Sequence, residues 1–172
     1  MVWVAAVALM LLSAGGLAAG GSLAHTEALR TSFDRQFWTE SRYPNAELLG
    51  KWEGFGRLIA SGGAHCDFAA QAVYGTSDEY EAVEAFYAGR AIAVGDAAPV
   101  AFDVQPVSDR ALSAEPPRTN DPDAATRDVL TRTSTDLARA RSFATVFIVQ
   151  AVSWGHPGWL DWRCRASATT KA

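Results

Sequence analysis

The stretch Ser142–Trp154, SFATVFIVQAVSW, decides how this chain folds. Val146 to Val149 is an unbroken apolar run of β-branched and aromatic residues, closed downstream by the turn residues GHPG. A short continuous run of this kind reads as a strand whose two faces are both buried. The rest of the chain has to supply the layers that bury it.

Working upstream, SDRALSAEPPRTNDPD is dense in Pro, Ser, Asp and Asn and reads as a long surface loop. Asp121 followed by Pro122 suits a helix start, so DPDAATRDVL opens a helix that fades into the threonines of TRTST. APVAFDVQPV alternates Val100, Phe102 and Val104 with polar or small residues, a strand that Pro106 closes or marks as an edge.

TSDEYEAVEAFYAGR is the clearest helix. Thr76 at the N-cap with Glu79 three residues on forms a capping box, and Gly89 suits the C-terminal cap. Tyr80, Val83 and Tyr87 line its apolar side, and its acids form a solvated face. HCDFAAQAVYG and ELLGKWEGFGRLIA read as strands, the second with a loose turn at Glu53–Gly56. TEALRTSFDRQFWTE places Leu29, Phe33 and Phe37 on one helical face that packs on the domain, and Pro44 ends it. WLDWRC alternates well enough for a last strand.

This mixed order without a βαβ rhythm gives an α+β fold. The expectation is a two-layer domain, an antiparallel or mixed sheet of four or five strands with helices on one face. An N-terminal apolar helix precedes it. The segments are 1–24, a membrane anchor or signal peptide; 25–42, a juxtamembrane helix; 43–166, one extracytoplasmic domain; and 167–172, a disordered tail.

The first 24 residues carry no charged side chain. They read either as an uncleaved membrane anchor or as a signal peptide cut after Ala18, Ala19 or Ala24. The anchor is the preferred reading. Arg30, Arg35 and Arg42 follow the apolar run and by the positive-inside rule would hold the domain in the cytoplasm. The two cysteines point the other way; a basic segment upstream of Met1 would reconcile them.

A net charge of −4 with scattered acids and bases leaves no electrostatic footprint for nucleic acid. The expected partners are the membrane, through the N-terminal segment, and an unidentified envelope protein or glycan.

Cys66 and Cys164 are the only cysteines, and an exported domain sits where disulfides persist. Strand alternation puts Cys66 with Phe68 and Ala70, and Cys164 with Leu160 and Trp162, on the apolar sides of their strands. His65 and Asp67 then face outward. The expected pairing is a core disulfide, Cys66–Cys164.

A Cys–His nucleophile is disfavoured because neighbours on a strand face apart. Three separated histidines and two lone cysteines fit no zinc spacing, no G-x-S-x-G occurs, and no phosphate loop follows the glycines. No catalytic residue, metal or cofactor is assigned. Trp159, His156 and Asp161 form the one candidate ligand-binding cluster, near Trp154 and Trp162, as a stacking platform for a sugar or peptide.

YPNAE before a strand and TSDEYEAVEAFY on a helix, spanning Tyr43 to Tyr87, resemble envelope-anchored bacterial proteins of unknown function. That resemblance implies export and brings no activity or catalytic residue. The chain is expected to be an exported, membrane-anchored envelope protein with a non-catalytic binding or structural role. The competing expectation is an envelope hydrolase or carbohydrate-binding module built on the Trp159/His156/Asp161 cluster.

Overall fold

The structure, a computed structural model, describes residues 2–56, 65–113, 121–157, 164 and 169–171. Side chains are described for 21–56, 66–113, 121–154 and 164. The elements run α1 (Val2–Glu40), β1 (Glu47–Gly56), β2 (His65–Thr76), α2 (Tyr80–Tyr87), β3 (Ala91–Ile92), β4 (Val100–Ala101), β5 (Asp103–Pro106), α3 (Ala124–Arg132), α4 (Leu137–Ala140), β6 (Thr145–Pro157) and β7 (Thr169–Lys171).

The fold is α+β. Strands β5, β6, β2 and β1 form an antiparallel sheet in that order, with three-residue β7 added outside β1. β3 and β4 make a separate short ribbon. Strand β6 is the spine, because it pairs with β2 from Thr76↔Thr145 to His65↔Pro157.

Alternation along β6 sorts the core into two layers. Phe147, Val149 and Ala151 face one way and join Phe68, Ala70, Ala72 and Tyr74 of β2. Onto this face pack Phe33 and Phe37 of α1, Val83 and Tyr87 of α2, and Ile92 and Val94. Phe33 and Phe37 are fully buried, worth about 2–3 kcal/mol each by apolar transfer. The Leu29/Phe33/Phe37 stripe is therefore part of the domain core.

Val146 and Ile148 face the other way, with Val73 and Leu49, and are covered by Val107, Ala111, Leu112, Leu130 and Ala140. Helices thus lie on both faces of the sheet, which corrects the two-layer expectation of helices on one face. The excursion between β5 and β6 carries α3 and α4 back over the sheet, and the β6 apolar run demands that second layer.

Three local features also differ from expectation. β2 extends to Thr76, so the Thr76 hydroxyl accepts from Asp78 N–H at 3.2 Å in a turn, and no capping box forms; helix α2 starts later, with Glu79 at its N-cap and no side-chain cap bond. Asp67, read as outward, is fully buried. The 167–172 segment, expected to be disordered, contains β7 opposite Glu53–Phe55.

Further contacts flank the sheet on both sides. Lys51 N–H donates to Thr133 O at 3.1 Å and Asp136 N–H donates to Leu49 O at 3.2 Å, so the segment after α3 lies along β1. A Cβ on Gly50 would stand 2.8 Å from Thr133 O, so only glycine lets that segment come so close. At the far edge Tyr80 Oη donates to Val104 O at 3.0 Å.

Candidate functional site

Five segments meet where β5 ends and line an open cavity of about 590 Å³. Its apolar wall is Leu112, Val146 and Phe143; its polar rim is Arg141, Asp109 and Tyr80. Each residue is there for a local reason. Pro106 stops β5 and turns the chain, the Val107 N–H still donates to Val146 O at 2.8 Å, and the following turn carries Asp109 and Leu112 under the sheet. Helix α4 is one turn long, capped by the Asp136 carboxylate on Arg139 N–H at 3.0 Å, and it ends at Arg141.

Arg141 is held in a fixed plane. Its Nε and Nη2 both donate to Leu112 O, at 3.0 and 2.6 Å, and among the described residues it has no carboxylate partner. A guanidinium fixed on one side by a carbonyl presents its remaining N–H groups in a set direction. Tyr80 is committed elsewhere by its bond to Val104 O, and burial pushes its phenol above the ordinary range, with Glu84 and Asp103 adding to it. Ser113 also lines the cavity, but its hydroxyl donates to Arg110 O at 2.8 Å.

The cavity therefore offers a positioned cation beside an apolar wall. Its described lining contains no imidazole or thiol and no hydroxyl paired to a base. Such a site can hold and orient a small molecule. A second depression of about 550 Å³ lies across the 111–113 turn, lined by Arg127, Leu130, Thr131, Ser134 and Leu137. Arg127 there is spent on Ser113 O, Arg110 O and Asp121. No group of three or more His, Cys, Asp or Glu residues poised for a metal occurs among the described residues.

The sequence-derived cluster fares differently. Trp159 and Asp161 fall outside the described residues, as does the His156 side chain; the His156 backbone pairs with Cys66 at the end of β6. Their neighbour Trp154 is described and is 51% exposed. Cys66 and Cys164 are fully buried in the α1-side core and form a disulfide-capable pair, Cα atoms 5.0 Å apart and sulfurs in bonding contact.

The residues 1–24 read as an anchor lie mostly outside the described side chains. Among the described residues, no helix is long and apolar enough to cross a membrane.

Sequence reading missed Arg141, Tyr80 and Phe143. Their signal is weak because each looks ordinary in its own segment, and only the crossing of β5, α2 and the 107–113 turn brings them together.

Compared with family models, curated proteins and solved structures, the chain matches none.

Proposed function

We propose that this chain is an exported envelope domain, held at the membrane by its N-terminal segment, whose role is non-catalytic binding. The cavity under Arg141 is the observation that carries the binding role. Its volume is that of a small-molecule site, and its one positioned cation against Leu112, Phe143 and Val146 suits a small amphiphile with a carboxylate and an apolar body. Location outside the cytoplasm is supported by the buried cysteine pair and by the uncharged first 24 residues.

The test is a titration of the full chain, followed by amide NMR, with octanoate and with octanamide. Octanoate should shift the amides of Leu112, Ser113 and Phe143, octanamide should leave them in place, and Arg141→Gln should weaken the octanoate response at least tenfold. Equal responses to both probes, or none to either, would overturn the reading.

A second reading, a glycan platform at the end of β6, draws on the exposed indole of Trp154.

A further inference from the structure

Beside the apolar stripe that buries Phe33 and Phe37, α1 carries a second stripe: Glu27, Arg30, Asp34 and Trp38, spaced three or four residues apart and therefore on one face. It lies along β1. Trp38 Nε1 donates to Glu53 Oε1 at 2.6 Å, and the Arg30 guanidinium sits 5.6 Å from the centre of the Phe55 ring. Arg30 Nε is 3.6 Å from Glu27 Oε1 and 3.7 Å from Asp34 Oδ2. Lys51 Nζ lies 5.8 Å from the Trp38 ring. Of β7, Lys171 stands opposite Glu53 in register. The 93–97 turn, which packs on α1 through Gln36 and Leu29, adds exposed Asp96.

The charges do not balance evenly. Glu53 is spoken for by an indole, a neutral donor that holds it in place without cancelling its charge. Arg30 is shared between two carboxylates at long range. Asp34, with a side chain 22% exposed against 45% for Glu27, is the less solvated of the two carboxylates that share Arg30.

We infer that the seam between α1 and β1 is a pH-sensitive latch, in which a proton on Asp34 closes the helix onto the strand and its loss loosens the contact. The carboxyl of Asp34 is pushed up to about 6, first by burial, then by the negative charge of Glu53, with Glu27 adding and Arg30 opposing. Its folded value therefore exceeds its unfolded one. The stabilisation is complete below the unfolded value near 3.8 and is lost as pH rises through about 6. The inference does not depend on the cavity or on any ligand.

The test compares the full chain with Asp34→Asn, which keeps the shape and removes the charge. The substitution should raise Tm by about 5 °C at pH 7.5, with the gap closing by pH 4. In the unsubstituted protein the Asp34 carboxyl carbon should titrate near 6, and Lys51–Phe55 amides should exchange several-fold faster at pH 7.5 than at pH 5 after correction for intrinsic rates. Glu53→Gln provides a second handle and should lower the Asp34 midpoint. A midpoint within the ordinary carboxylate range, or parallel Tm profiles for the two proteins, would overturn the latch.

Discussion

Gln71 Nε2 donates to Gln150 Oε1 at 2.9 Å, and the two residues are direct cross-strand partners in the β2–β6 register. Gln150 Nε2 in turn donates to Asp103 Oδ2 on β5, which fixes the direction of the whole row. An ionised carboxylate only accepts, so each amide must offer its NH2 toward Asp103 and its oxygen away from it. The row therefore ends in the buried Gln71 Oε1, which has no partner among the described residues, next to Trp52, its opposite number on β1. Trp52 Nε1 is also buried and, among the described residues, unpaired.

Two orphan polar atoms at one end of a row make Trp52→Phe cheap. The change discards an unsatisfied N–H together with some packing, and a net effect within about 1 kcal/mol is expected. Trp52→Ala, by contrast, empties the space over Gly54 and should cost about 3–5 kcal/mol. Urea unfolding of the two variants separates these outcomes; equal losses would mean that the indole N–H is satisfied in solution.

The cysteine pair should dominate stability. Closing residues 66 and 164, 98 apart in sequence, contributes about 4–5 kcal/mol in the chain-entropy view, less any strain. Non-reduced, denatured protein should show no free thiol, and reduction should lower Tm sharply. Two titratable thiols in the non-reduced chain would refute it.

Gly50→Ala should destabilise by about 1–3 kcal/mol, since a Cβ there meets the Thr133 carbonyl and the Thr135 side chain. The same variant should speed exchange at Lys51 and Asp136, whose N–H groups bridge β1 and the segment after α3. Slow exchange at both sites in a folded variant would show that the edge does not depend on this approach.

Trp154→Ala should leave Tm within about 1 °C, because the side chain is half exposed and its removal opens no cavity. If the end of β6 serves as a stacking platform, the same change should abolish binding to soluble envelope glycans. A large loss of Tm would instead make Trp154 a packing residue.

The sequence carried the architecture unevenly. The Val146–Val149 run announced a strand buried on both faces, and the structure fills both, yet no local pattern showed that the second layer would come from the segments between β5 and β6. The capping signature at Thr76 was locally sound and lost to the pairing of Thr76 with Thr145, a tertiary contact that outweighs one side-chain bond. Asp67, expected to face outward, is buried at the point where the β2–β6 register shifts between Cys66 and Phe68. The cavity was the least legible feature, since Arg141 gains meaning only from the carbonyl of Leu112, 29 residues away in sequence.

The short sheet edges bear on how this protein lives among its neighbours. With β1 flanked by the segment after α3 and by β7, the outermost described strands are β5, 4 residues long and ended by Pro106, and β7, 3 residues long, and edges this short give a second sheet little to extend. Growth of a fibre by strand addition would have to start from one of these two short strands. Copies of this domain can therefore meet at high density with little described backbone on which to template one another.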